Sequence, residues 1–322
     1  MNRQDEFRIF YNHTIFPALV RFERKRKRLL LWLFSTIVII LLVTAIVLLL
    51  QLPSLALLSI VPLGIYVSWL WYKTYKFKQA FKPTVIRLVL DFLDNAVNYG
   101  TLRYEANGYI GKEDFFNSHL FAAQATEYRG EDYITGKIGE LDFELCELSV
   151  KDFSSVRNRL DTVFRGMFLH TTFFRQKLRD ENGEIVVGEQ LNGVILVLPR
   201  ARKQYLTRTI RQIAAMRGKN IDLEMHNALF REAFMVFATP DTVHTRFLSE
   251  PMQEAILQYR QYSGKDIYLS VVNSDIYIAV TKDKDLLEPY IFRSNVSFEL
   301  MREFYNDLDL IMQIIEDFDG RN

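Results

Sequence analysis

Hydrophobic residues change their spacing several times along the chain, and each spacing predicts a different element. In residues 1–28, Phe7, Phe10, Tyr11, Ile15, Ala18, Leu19 and Phe22 recur at helical intervals, with Pro17 marking a kink or restart. Leu29 to Leu50 has no polar face: it is uncharged, and 19 of its 22 residues are apolar. As a helix it is roughly 33 Å long, enough to cross a ~30 Å hydrocarbon core. Gln51-Leu52-Pro53 parts it from a second uncharged run, Ser54 to Trp71. Pro62 and Gly64 sit mid-span, and Trp69, Trp71 and Tyr72 suit an interfacial belt. A helical stripe then resumes through Phe77, Phe81, Val85, Leu88, Val89, Phe92, Leu93 and Ala96. Pro83 marks a bend and Gly100 a stop.

From Tyr104 to Pro199 the pattern predicts strands and turns. Tyr133–Ile138 and Leu141–Leu148 flank Gly139-Glu140, a hairpin signal. Val163–Leu178 reads as a buried strand, followed by strands at Ile185–Gly188 and Gly193–Leu198. Residues 200–219 read as one amphipathic basic helix, and 230–238 as a strand. Pro251–Tyr259 reads as a helix capped by Ser249. Ile267–Val272 and Ile276–Thr281 form a second hairpin around Asn273-Ser274-Asp275. Leu300, Phe304, Leu308, Ile311, Ile315 and Phe318 mark a closing helix.

Together these elements predict an α+β protein: a two-helix transmembrane hairpin followed by a cytoplasmic domain of mainly antiparallel sheet with flanking helices. The divisions are an amphipathic helix at 1–28, the hairpin at 29–72 (spans 29–50 and 54–71), a helical stalk at 73–100 and the α+β domain at 101–322. That domain is divisible into halves near 200–222. Charge supports the scheme. The net +1 hides +9 in residues 1–82 and −8 in 83–322. Six basic residues lie within Arg21–Arg28, and Lys73, Lys76, Lys78 and Lys82 follow the second run, whereas the loop between the runs is uncharged. The positive-inside bias places both termini in the cytoplasm, in a multi-pass arrangement. The basic front thus reads as a topology signal touching anionic lipid, not a nucleic-acid site.

Candidate chemistry is sparse. The sequence lacks a Walker loop, a Gly-x-Ser-x-Gly elbow, a His-Glu-x-x-His pair and a dinucleotide glycine run, so no catalytic residue and no cofactor is expected. His13, His119, His170, His226 and His244 have no ligand spacing. Lone Cys146, in a strand, reads as a small buried hydrophobe. Of the acids Glu131, Asp132, Glu144 and Glu147, a hairpin turning at Gly139-Glu140 brings Asp132 and Glu147 together. They are weak candidates for a divalent cation, and turn chemistry at Gly130 is the plainer reading. Arg200, Arg202, Lys203, Arg208, Arg211 and Arg217 form a basic cluster, either solvated and paired with acids or a contact to lipid or an acidic partner.

Several motifs recur in order: Phe115-x-x-Ser118-x-Leu120-Phe121, Tyr128-Arg129-Gly130-Glu131-Asp132 with Gly136, Cys146-Glu147-Leu148, and Phe164-Arg165-Gly166-Met167-Phe168. Phe234-Met235-Val236-Phe237-Ala238, Arg246-Phe247-Leu248-Ser249 and Ile276-Tyr277-Ile278-Ala279-Val280 follow. This series, behind a two-span N-terminus, resembles a bacterial membrane-protein family catalogued as domain of unknown function 3137, from the first helix to near residue 290. Ala238-Thr239-Pro240-Asp241 and Ser249-Glu250-Pro251 depart from the family pattern. The resemblance implies a cytoplasmic-membrane protein accompanied by small LemA-type membrane proteins, and supplies no catalytic residues. The leading functional expectation is a membrane-tethered binding or scaffold module whose partners are the bilayer and a protein. The competing readings are a membrane-bound hydrolase using the acids and, if several copies assemble as a homo-oligomer, a channel or transporter subunit.

Overall fold

A computed structural model describes residues 3–50, 53–95, 102–139, 141–155, 157–172, 177–179, 185–187, 193–240, 242, 247–282 and 287–319, with side chains left out at 50, 53–59, 177–179, 185–187 and 317–319. The chain forms two compact units: Met1–Leu93 with Leu287–Tyr305, and Asp94–Leu286 with Asn306–Asn322.

The first unit is helical. Helix α1 (Arg3–Phe10) leads through a π-helical turn (Tyr11–Ile15) into α2 (Phe16–Leu50), and α3 (Pro53–Asp94) follows. The π turn has a local cause. Pro17 has no N–H for the carbonyl four residues back, so the ladder widens just before it and then restarts. Pro62 and Pro83 do not end α3, which continues through both. Its predicted stop near Gly100 lies outside the described residues.

The apolar stripes at either side of the two runs meet as aromatic pairs. Phe7 stacks on Tyr305 at 4.2 Å and meets Phe92 edge-on at 5.3 Å. Phe22 meets Phe81 at 5.2 Å, and Trp32 meets Trp69 at 5.1 Å. Such pairs add about 0.5–1.5 kcal/mol each beyond area burial. Arg26 is buried: it pairs with Glu23 at 2.6 Å and donates to the Ile291 carbonyl at 2.7 Å. The ion pair lowers the Glu23 pKa and raises that of Arg26. One of the six basic residues before the first apolar run is therefore a structural tie. Buried Lys82 similarly faces Glu288 at 3.8 Å.

One helix among the described residues, the continuous run Arg3–Leu49 that includes most of α2, is long and apolar enough to cross a membrane. Only 6% of its most apolar stretch is buried, with Leu31, Ile37, Leu41, Ile46 and Leu49 all exposed. The second predicted run opens α3. Its side chains at 54–59 lie outside those described, and Ile60, Val61, Ile65, Trp69 and Trp71 are exposed.

The second unit is built on antiparallel sheet flanked by helices. Its elements are β1 (Arg103–Glu105), α4 (Lys112–Asn117), β2 (Glu127–Ile138), β3 (Leu141–Ser154), β4 (Arg159–Thr172), β5 (Lys177–Arg179), β6 (Ile185–Val187) and β7 (Val194–Pro199). After them come α5 (Thr207–Ala215), β8 (Lys219–Asn220), α6 (Ala228–Ala233), β9 (Phe234–Ala238), α7 (Glu250–Ser263), β10 (Ile267–Val272), β11 (Asp275–Thr281) and α8 (Phe298–Asp319), whose first turns belong to the helical unit. Nine strands pair in the order β1-β2-β3-β4-β11-β10-β7-β9-β8, and β5 pairs with β6. One sheet thus runs through the strands on both sides of the 200–222 segment.

Both hairpins form where turn chemistry permits. Ile138 pairs with Leu141 beside Gly139, whose φ is +57°, and Val272 pairs with Asp275 across Asn273 at φ +55°. Ser249 caps α7 by accepting from the Met252 N–H, and Gly264 ends it in the left-handed region.

Two readings need correction. The segment 200–219 is not one helix. Residues Arg200–Tyr205 form a 3₁₀ helix, buried Leu206 interrupts it, α5 covers only Thr207–Ala215, and Lys219 is already in a strand. Residues 230–233 are helix, not strand. Asn227 accepts from the Phe230 N–H and starts α6, so β9 begins at Phe234.

Phe115, Phe164, Phe168, Ile213 and Tyr277 share one buried cluster. The alternate residues Leu145, Leu169, Ile278 and Leu269 are also buried, so both faces of the central strands are covered. A buried ion cluster ties α8 into this unit: Asp307 binds Lys265 at 2.7 Å, Lys282 at 3.1 Å and the Tyr259 hydroxyl at 2.6 Å.

Candidate functional site

Register brings a row of polar residues to one end of the sheet. Arg103 lies opposite Thr135, Thr135 opposite Glu144, Glu144 opposite His170, and His170 opposite Tyr277. Direct opposition keeps all five on one face. Arg103, Thr135, Glu144 and His170 border a cavity of about 540 Å³, also lined by Tyr133, Lys137 and Thr172.

His170 is its electrostatic centre. Nδ1 lies 2.7 Å from Glu144 Oε1, and Nε2 lies 3.3 Å from Asp275 Oδ1. The ring stacks on Tyr277 at 4.7 Å. Burial alone would lower the imidazole pKa, but the hydrogen bonds to Glu144 and Asp275 outweigh it and hold it above the ordinary value. Burial likewise opposes the charge on Glu144, yet hydrogen bonds from His170 and Tyr133, the latter at 2.6 Å, keep its pKa low. The Thr172 hydroxyl donates to Asp275 at 2.7 Å. Glu144, His170 and Asp275 therefore form a charged brace across β3, β4 and β11. With a carboxylate on each ring nitrogen, the imidazole is engaged on both sides and has no vacant nitrogen for a substrate proton.

The candidate cation ligands converge on the other face. Glu131 lies opposite Glu147, and a bulge between Glu131 and Ile134 turns Asp132 out of the ladder. Asp132 takes φ +59°, and its N–H donates to the Ala106 carbonyl. Donor oxygens of Glu131, Asp132 and Glu147 lie within 4.8 Å of one another, and Asp132 and Glu147 are buried. Such a set suits a hard divalent cation. The Tyr104 hydroxyl already donates to Asp132 Oδ1 at 2.7 Å, and none of the three acids is free of other contacts. Glu144, grouped with these acids in the sequence, instead faces His170.

Cys146 is buried beside the Ile110 N–H, and burial pushes its thiol up to about 12, far from a reactive thiolate. His119 is held below its ordinary pKa by burial, with Gln212 Nε2 at 3.0 Å.

The basic cluster divides in two. Arg200 pairs with Asp222 at 2.5 Å and also donates to the Arg231 and Phe234 carbonyls. Arg202 pairs with Asp266 at 2.6 Å and Arg208 with Asp152 at 3.5 Å. Among the described residues, no acid lies within ion-pair distance of exposed Lys203, Arg211 or Arg217.

The described residues thus define an α+β protein with a long apolar N-terminal helix and a largely antiparallel sheet. A family model described as "Protein of unknown function (DUF3137)" matches residues 162–319, the same family that the sequence motifs resemble. The match contains the later motifs, from Phe164 to Val280, and leaves the N-terminal ones outside it. No curated protein matches the chain in sequence. Among solved structures, the crystal structure of the mycobacterial trehalose monomycolate transport factor A, TtfA, is similar at 10% identity and a TM-score of 0.29. The likeness covers 65% of this chain and 88% of that one and is too slight to carry a functional argument.

Proposed function

We propose that the protein is a membrane-anchored binding module: α2 and the first part of α3 cross the bilayer as a hairpin, and the sheet unit binds partners on the cytoplasmic side. The observation that carries this reading is the exposed apolar surface of α2. A helix that leaves Leu31, Phe34, Leu41, Leu42 and Leu49 uncovered has a surface suited to lipid. The start of α3 supports a second span in the same way, through exposed Ile60, Val61 and Ile65. At the end of that run, Lys73 lies over the Trp69 ring at 5.4 Å and Lys76 over Tyr72 at 4.9 Å, an arrangement fitted to an interface. Arg26 and Lys82 are tied to acids, but Arg21, Arg24, Lys25, Lys27, Arg28, Lys73, Lys76 and Lys78 are exposed. They supply the positive-inside signal at both outer ends.

Binding is favoured over catalysis by the His170 site. Its most nearly catalytic group is held between two carboxylates as a brace. Reporter fusions test the topology. A reporter active only outside the cytoplasm is silent after Asn322 and active when inserted at Pro53. Activity after Asn322 reverses the orientation, and silence at both points removes the hairpin.

A further inference from the structure

We propose that the exposed rim formed by Lys203, Tyr205, Arg211, Arg217, Lys219 and Leu223 lies against an anionic phospholipid bilayer. The inference rests on the membrane-anchored reading and names the surface by which the sheet unit meets lipid. Arg200, Arg202 and Arg208 are excluded, because Asp222, Asp266 and Asp152 already neutralise them. Lys203, Arg211, Arg217 and Lys219 are exposed, and among the described residues no acid lies within ion-pair distance of any of them.

The fold fixes these cations outward. In α5, Thr209 donates to the Leu120 carbonyl and Ile213 is buried, which turns Arg211 to the opposite side. The helix ends with the Gly218 N–H on the Ile213 carbonyl and with Arg217 in the left-handed region at φ +64°. Glycine suits that conformation best, so the local backbone gives no reason for arginine there. An anionic surface facing the side chain does.

Exposed apolar side chains are interleaved with the cations along residues 203–223. Leu223 is 92% exposed and Tyr205 67%. Leu223 is not the tip of a loose loop. The neighbouring Asp222 carboxylate is fixed by the Val236 N–H at 2.6 Å and by Arg200 at 2.5 Å, which holds that turn against β9. Uncompensated cations and uncovered apolar groups within one stretch of chain match the chemistry of an anionic lipid interface: headgroup charge outside, acyl chains just beneath. Because the anchor keeps the whole chain beside a bilayer, modest contacts are enough for occupancy.

The test uses the full chain in lipid nanodiscs of phosphatidylcholine alone or mixed with phosphatidylglycerol. An environment-sensitive fluorophore is attached at Leu223→Cys, and the unsubstituted chain, whose Cys146 is buried, serves as the labelling blank. Blue-shifted emission is expected in anionic discs and aqueous emission in neutral ones. The shift should disappear when Lys203, Arg211, Arg217 and Lys219 are all changed to Gln, with the circular dichroism unaltered. Aqueous emission in both discs overturns the proposal, as it would if the rim served an acidic protein instead. Equal blue shifts in both discs, or a shift that survives the four Gln changes, overturn the role of charge. Co-elution of chain and disc reads the anchor separately: a chain that fails to co-elute contradicts the anchor and this inference together, whereas co-elution with aqueous emission contradicts this inference alone.

Discussion

Leu29–Leu50 in α2 and the strand pair β7–β9 are almost equally apolar, yet their surroundings are opposite. Val194 to Leu198 and Phe234 to Ala238 are buried throughout, paired with each other and flanked by β10 and β8, with Val197 opposite Val236. Leu31, Leu41 and Leu49 project outward with nothing over them. Composition does not separate the two regions; length and geometry do. A strand of five or six residues covers both faces within one sheet-and-helix unit. A 22-residue helix, roughly 33 Å long, offers more apolar surface than such a unit covers, and it matches the thickness of a bilayer. The same side chains are therefore covered by the fold in one region and left exposed in the other.

Truncations expose this contrast most sharply. Phe234→Ala, which empties a fully buried position, should cost about 3–5 kcal/mol, and Ile278→Ala about 2–5 kcal/mol, in denaturant unfolding of the detergent-solubilised chain. Leu41→Ala, at a 64% exposed site, should change unfolding by under about 0.5 kcal/mol. Comparable losses at Phe234 and Leu41 would erase the distinction between buried strand and exposed helix.

A somewhat smaller loss is expected where two strands approach closely. Gly166 has φ +150°, and a Cβ there would lie 2.0 Å from the Val280 carbonyl oxygen. Gly166→Ala should cost about 1–3 kcal/mol through backbone strain and displacement of β11. Native-like unfolding of this variant would contradict the β4–β11 register.

The pH response is smaller and comes from the sheet unit. The His170 pKa is raised by Glu144 and Asp275, so its contribution is fully present below about pH 6.5 and is lost as pH rises through the folded value. Glu144, with its pKa lowered, contributes above about pH 4.5, and this is lost as pH falls through its folded value. The brace is therefore strongest between those limits. His170→Gln should flatten the decline above pH 6.5 while leaving α2 untouched. The charges facing the ring are those of Glu144 and Asp275, with Asp114 acting on it from α4 and Tyr133 bonded to Glu144. In the histidine NMR titration, His170 should titrate above 6.5 and His119 below it; the reverse order would remove the brace.

Much of this architecture was legible in the sequence, because local chemistry decides it. Gly139 and Asn273 supply the left-handed turns of both hairpins, and Ser249 supplies the α7 cap. Asp132 and Glu147 could be placed near each other because one hairpin carries both. Asn227 announces α6, but Phe-Met-Val-Phe-Ala beyond it dominates the pattern and hides the helix. The break at Leu206 is hidden because helical spacing on both sides of it looks continuous; only burial reveals the interruption. The brace itself was illegible. Glu144 is 26 residues from His170 and Asp275 is 105 away, and their meeting depends on the register of β3, β4 and β11. Pairing of Arg200, Arg202 and Arg208 with distant acids was hidden for the same reason.

The central claim is that the exposed apolar face of α2 is covered by lipid. Alkaline carbonate extraction of membranes from cells expressing the full chain tests it most directly, with a chain carrying Val38→Arg and Leu41→Arg as the comparison. Each arginine at mid-helix costs about 2.5–3.5 kcal/mol of insertion free energy. The unsubstituted chain should stay in the membrane pellet through carbonate and leave it only with detergent, and the double variant should shift towards the supernatant. Release of the unsubstituted chain by carbonate alone would contradict the account.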